Sequence, residues 1–199
     1  MTLVQWLENL DRILFILIQH DSDHAILDRL MPFLRDPYTW IPLYAFMLYY
    51  AIRKTGPATW PFILLSLLTV AITDSVTTQV LKPLIGRLRP CHDPVLSSVI
   101  REVIECGGLY SMPSSHAANH FGLASFWYFS IRTMSGKEWR WLWIWAAAVS
   151  YAQIYVGKHY PFDIIAGLVM GCITGTGISL IFNRWWNKQA VFPKYKLMA

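Results

Sequence analysis

Apolar and polar positions fall in long blocks along this chain. Trp6, Leu10, Ile13, Leu14 and Leu17 recur at helical spacing, broken by Asp11, Arg12, His20, Asp21 and Asp23. That apolar run is too short to span a bilayer comfortably, so residues 1–37 are expected to form one or two amphipathic helices lying in a membrane interface. An interrupted first transmembrane helix is the competing reading. Residues 38–52 are uncharged and end at Arg53-Lys54, a slightly short span followed by a Thr55-Gly56-Pro57 turn. Residues 60–81 form the next span and contain Asp74, eight residues before Lys82 and so on the same helical face. An acid within a span is costly and marks a functional candidate.

A polar loop over residues 82–113 follows, with Arg87, Arg89, Arg101 and Gly107-Gly108. Residues 114–131 are largely apolar and carry two histidines, His116 and His120, and 132–140 form a short basic turn. Residues 141–157 are uncharged, with Trp141, Trp143 and Trp145 at one end. Residues 164–183 make the cleanest span, where Gly167, Gly171, Gly175 and Gly177 allow close helix contact. Arg184, Trp185, Trp186 and Lys188 anchor its end, and a basic tail follows. The pattern predicts an all-α fold, a polytopic membrane helical bundle of five to six transmembrane helices. Three regions are expected: the interfacial region 1–37, the membrane domain 38–188 and a cytoplasmic tail 189–199.

Composition strengthens this picture. Hydrophobic residues make up 55% and charged residues 15%, against about 25% charged in a soluble domain. Ten Trp, ten Tyr and ten Phe suit interfacial aromatic belts. The net charge of +5 is scattered between apolar runs, so no nucleic-acid partner is expected, and no protein partner is evident. Glu8 and Asp11 come too early for a secretory signal peptide, which leaves targeting to the membrane segments. With five spans, Arg53/Lys54, Arg132/Lys137/Arg140 and the tail share one side, which the positive-inside rule makes cytoplasmic. The 82–113 loop and residues 159–163 then share the outer side. Cys91 and Cys106 flank that loop; they pair if it faces an oxidising compartment, and two free thiols are an equal alternative.

The chemistry-bearing residues gather on that outer face. Pro161 is placed to open a helix, with Asp163 in its first turn, and His159 sits just before it. A carboxylate on one ring nitrogen fixes the tautomer and leaves the other free for attack. Pro113-Ser114-Ser115-His116 begins another helix, where a Ser N-cap and free N–H groups suit phosphate. Lys82, Arg87 and Arg89 cluster where a span ends, which suggests an anion as their target, although snorkelling cations would look the same. His116 and His120 alone do not make a zinc motif, because the Glu of a His-Glu-x-x-His site is absent.

These segments resemble the type 2 phosphatidic acid phosphatase family, which shares its site with the vanadium haloperoxidases. The family's Lys, six residues, then Arg-Pro matches Lys82 and Arg89-Pro90. Its Pro-Ser-x-His matches Pro113 to His116, and its final His, three residues, Asp matches His159 and Asp163. The family's third-motif Arg falls on Gln153, a departure that puts one phosphate ligand in question; Arg87 or Lys158 are the candidates to replace it. The resemblance implies a metal-independent lipid phosphatase without a cofactor. His159 would attack phosphorus, Asp163 would orient it, and His116 would protonate the leaving oxygen and then activate water. Lys82, Arg89, Ser114, Ser115 and Gln153 would hold the phosphate. The implied setting is a bacterial cytoplasmic (inner) membrane, with the site facing the periplasm or outside. Undecaprenyl diphosphate is the first substrate expectation; phosphatidylglycerol phosphate, phosphatidic acid and lipid A phosphate are the others. A vanadate-dependent peroxidase and a non-catalytic lipid-binding protein are the rival functions.

Overall fold

The computed structural model describes residues 2–20, 25–98, 100–101 and 103–191. Asp21, Asp23 and the tail beyond residue 191 therefore lie outside the described residues. The helices are α1 (Leu3–His20), α2 (Ala25–Arg35), α3 (Ile41–Lys54), α4 (Thr59–Ser75), α5 (Lys82–Ile85), α6 (Ser115–Ser135), α7 (Trp141–Tyr155) and α8 (Pro161–Val191). Among the described residues the only β feature is an isolated bridge between Leu88 and Tyr110.

Between α4 and α5, residues Val76–Leu81 run on as a π-helix, so the rod continues unbroken to Ile85. Hydroxyls of Thr73, Thr77 and Thr78 bond carbonyls one turn back, which satisfies side chains that lie in an apolar stretch. The wider turns re-phase the helix just before the site. Lys82 is buried while Pro83, Leu84 and Ile85 stay exposed. Two helical stretches are long and apolar enough to cross a membrane, Gly56–Ile85 and Pro161–Gln189. Of the expected five to six spans, two meet that measure. Two of the missing ones are short: α3 has 14 residues and α7 has 15, roughly 21–23 Å of helix. The third, α6, lies inside the bundle and need not match lipid.

The core is built on α6 against α8. A Cβ on Gly167, Gly171 or Gly175 would run into the backbone of Ser114, Ala118 and Gly122 respectively, so only glycine permits this approach. Gly177, which the sequence groups with them, faces open space. Around this pair, Phe62, Phe126, Phe182, Trp127, Leu142 and Trp145 form one apolar cluster. The bundle's exterior is also apolar: Phe46 and Ile52 on α3, Leu64 and Leu67 on α4, Ile144 on α7, and Ile173 and Ile181 on α8 are exposed.

The N-terminal helices dock on this bundle. Of the stripe singled out in the sequence, Trp6, Ile13 and Leu17 face outward and are exposed. The inward face of α1 is instead Asp11, Phe15 and Gln19, all buried. On α2, Met31 packs with Ala152, Tyr155 and Val156, and Asp28 takes a fork from Arg101 at 2.6 Å and the Tyr155 hydroxyl at 2.7 Å.

Candidate active site

The N-termini of α6 and α8 meet at one end of the bundle. Ser114 caps α6 by accepting from the Ala117 N–H at 3.3 Å, as its sequence position predicts. The Ser114 N–H donates to the Asp163 carbonyl at 3.0 Å, which ties the two helix starts together. Both positive dipole ends therefore converge on the same space.

His159 lies in the turn between α7 and α8 and is buried. Gly157, at φ 79, supplies the left-handed step that lets the chain leave α7 and deliver it. The ring's Nδ1 stands 3.5 Å from Asp163 Oδ2. That is an ion-pair distance and long for a hydrogen bond. Nε2 is the nitrogen left for attack. Asp163 is itself fixed from three sides. The Tyr160 N–H donates to Oδ2 at 2.8 Å, Arg87 donates to Oδ1 at 2.9 Å, and Pro161 opens the helix that carries it.

Arg87 also pairs with Asp11 of α1 at 2.6 Å, and Asp11 Oδ1 accepts from the Phe162 N–H at 2.9 Å. Burial pushes the Asp11 carboxyl above its usual value, against the pull of that N–H and of Arg87. Burial opposes the Arg87 charge, but Asp163 and Asp11 outweigh it and raise its pKa. The Arg87 guanidinium lies 4.0 Å over the Tyr160 ring, whose hydroxyl bonds Asp93, which Arg12 pairs at 2.8 Å. The chain Asp11–Arg87–Asp163–His159 thus runs from the first helix to the nucleophile candidate. Asp11 lay hidden from sequence reasoning, though an acid in register with Phe15 and Gln19 on one helix face was a visible signal.

Lys82 and Arg89 stand near His159. Each lies within electrostatic reach of Asp163, and of the other. Arg89 is oriented by its Nε on the Tyr110 carbonyl at 3.2 Å and its NH1 on the Cys106 carbonyl at 3.0 Å. The structure joins Cys91 to Cys106 in a disulfide and so decides between the two alternatives left open above. His92 sits beside them, but with the sulfurs bonded to each other the trio offers no thiolate to a metal. His116, in the first turn of α6, is within electrostatic reach of His159 and Lys82. His120 turns Nδ1 to the His116 carbonyl at 2.8 Å and packs edge-on against Trp145, a packing role. Asp74 accepts from Asn119 at 3.2 Å and lies within reach of Lys82, as their spacing predicts. Ser115 and His116 open onto an apolar cavity of about 650 Å³ between α3, α4 and α6.

Gln153 is buried on α7, and its Oε1 accepts from Arg35 Nε at 3.4 Å. Neither proposed replacement for the missing Arg is available there. Arg87 is engaged by Asp11 and Asp163, and the Lys158 ammonium donates to the Cys106 carbonyl. Arg35 was not among the residues the motifs pointed to, because it lies 118 positions away.

Residues 62–187 match the PAP2 superfamily, and the chain belongs to it. It is 35% identical over 144 residues to a Lipid A 4'-phosphatase of Bacteroides thetaiotaomicron, covering 68% of this chain and 61% of that one. A protein of the same name from Porphyromonas gingivalis is 29% identical over 189 residues, 92% of this chain and 78% of that one. An undecaprenyl-diphosphatase of Sulfolobus acidocaldarius is 32% identical over 163 residues, 79% and 71%. Among solved structures, Aquifex aeolicus LpxE superposes with a TM-score of 0.61 at 25% identity, over 86% of this chain and 95% of that one. A PAP2 type phosphatidylglycerolphosphate phosphatase from Bacillus subtilis gives 0.67 at 16%, over 92% and 87%, and shares the fold. The fold is that of the superfamily.

Proposed function

We propose that this chain is a membrane lipid phosphatase that removes a phosphate from a phosphorylated glycolipid of the lipid A type. The observation that carries the lipid part is the cavity of about 650 Å³, lined by Tyr44, Met47, Leu48, Phe62, Leu67 and Leu123, which ends on His116. A cavity of this size and lining suits an acyl chain, and it delivers the attached headgroup to the proton donor. The apolar exterior of the bundle supports residence in a bilayer. The two relatives named Lipid A 4'-phosphatase favour the sugar-linked phosphate over the polyprenyl diphosphate expected first. The undecaprenyl-diphosphatase relative keeps that substrate as the second reading.

The geometry supports a double displacement. His159 Nε2 attacks phosphorus in line, forming an N–P bond as the P–O bond to the lipid breaks. His116 gives its proton to the leaving oxygen. Neutral His116 then takes a proton from water as that water attacks the phosphohistidine, and inorganic phosphate leaves. Lys82, Arg89, the Ser114 hydroxyl and the helix-start N–H groups of Ser115 and His116 hold the equatorial oxygens. The cystine at the site's rim supports an active site on the oxidising side of a bacterial inner membrane.

Phosphate release by the full chain in detergent tests this, with lipid A, undecaprenyl diphosphate, phosphatidylglycerol phosphate and phosphatidic acid offered side by side. Release is expected to be fastest from lipid A and to vanish in His159→Ala. Faster release from undecaprenyl diphosphate selects the second reading, and no release from any lipid refutes both.

A further inference from the structure

Several cations stand near His159, and Asp74 reaches Lys82 while Asp36 reaches Arg35. Of the cations near it, Arg87 is neutralised by Asp11 and Asp163. Lys82 and Arg89 remain, and Arg35 stands within electrostatic reach of Arg89 and of His116. Arg35 is half-buried at the end of α2. Its Nε is engaged by Gln153, but its terminal amino groups bond no side chain among the described residues. Its neighbour Asp36 turns its own carboxylate to the Tyr38 N–H at 2.9 Å. Burial and the nearby Arg89 disfavour the Arg35 charge, with Asp36 the carboxylate that opposes them, and an anion at the terminal amino groups would offset both.

The helix that carries Arg35 is not loosely placed. Met31 is buried against Ala152 and Val156, and Asp28 is bridged to Arg101 and Tyr155. Gln153 sits one residue along α7 from that contact, where its Oε1 accepts from Arg35 Nε. A phosphoryl group in flight spreads its charge over three equatorial oxygens. Lys82 and Arg89 supply two cations, and Arg35 is placed to supply the third.

We propose that Arg35 is a phosphate ligand of this site, brought in by the N-terminal helix α2, and that Gln153 is its positioning residue. The proposal rests on the phosphatase reading for its catalytic consequence, but its binding consequence can be measured alone. The probe is inorganic phosphate, titrated calorimetrically into the detergent-solubilised full chain. Arg35→Gln is expected to weaken phosphate binding at least about tenfold and to lower kcat/KM by about 10²-fold, the range for loss of one preorganised charged donor. Thermal unfolding should be unchanged, and Arg35→Lys should fall between. Adding Gln153→Arg to Arg35→Gln should restore phosphate affinity, since the cation then comes from α7. Unchanged phosphate affinity in Arg35→Gln would overturn the proposal. So would an equal loss in Arg35→Lys accompanied by a lower unfolding temperature, which marks a structural role. If the intact chain releases no phosphate from any lipid, the phosphatase reading fails while the titration still judges Arg35.

Discussion

His159 is buried, and burial disfavours its charged ring more than Asp163 favours it, so its pKa is lowered. Attack requires the neutral ring, and protonation removes the nucleophile as pH falls. Because the folded value lies below the ordinary one, the acid limb of kcat/KM is expected below about pH 6.5. Asp163→Asn removes the carboxylate that raises this value, so the limb should move to still lower pH. At the same time kcat should fall by about 10³–10⁴-fold through loss of ring orientation. A pH–rate series on both proteins checks the sign. Asp11→Asn should act more mildly, since an amide oxygen still accepts from the Phe162 N–H while the pull on Arg87 is lost. A drop of about tenfold in kcat with KM little changed is expected, and steady-state kinetics would show it. His159, Asp163, His116, Lys82 and Arg89 could be picked out because each lies in a short motif that the family resemblance matches. Asp11 and Arg35 could not, because their partners stand far along the chain and only packing brings them near.

At the scale of elements, the α6–α8 contact and the outer loop hold the site in shape. Gly171→Val would drive side-chain atoms into the backbone of Ala118 and Gly122. Overpacking of this kind costs about 1–3 kcal/mol, which is roughly 2–12 °C of unfolding temperature in a chain of this length. Thermal unfolding in detergent measures it, with Gly177→Val, which meets nothing within 4 Å, as the harmless control. The disulfide closes a loop with a sequence separation of 15, worth about 3 kcal/mol in the chain-entropy account. The Cys106 carbonyl that it anchors receives both Arg89 and Lys158. Cys91→Ser is therefore expected to lower the unfolding temperature and to raise KM for the lipid phosphate, a pairing that a purely scaffolding bond would not give. Helix starts at Ser114 and Pro161 could be read from the sequence, because capping and proline chemistry are local. The π-helix before Lys82 could not, since nothing in Val76–Leu81 distinguishes it from an α-helical run.

For the whole molecule, the outward apolar side chains of α1, α3, α4, α7 and α8 form the surface that lipid would cover. The region 1–37, expected as interfacial, also docks on the bundle. Its apolar stripe faces outward, but α1 turns Asp11 inward to pair with Arg87, and α2 ends on Arg35, which donates to Gln153. Amphipathic periodicity reports which face is apolar. It does not say whether lipid or protein covers that face, so the docking of α1 and α2 was hidden. The central claim is that His159 carries the phosphoryl group between two displacements. Acid-free quenching during turnover of a lipid labelled in its phosphate, followed by peptide mapping, tests it most directly. The account predicts a base-stable, acid-labile label on the peptide containing His159, absent in His159→Ala and accumulating in His116→Ala when a substrate with a good leaving group is used. Turnover without any label on that peptide, or label and turnover surviving in His159→Ala, would contradict it.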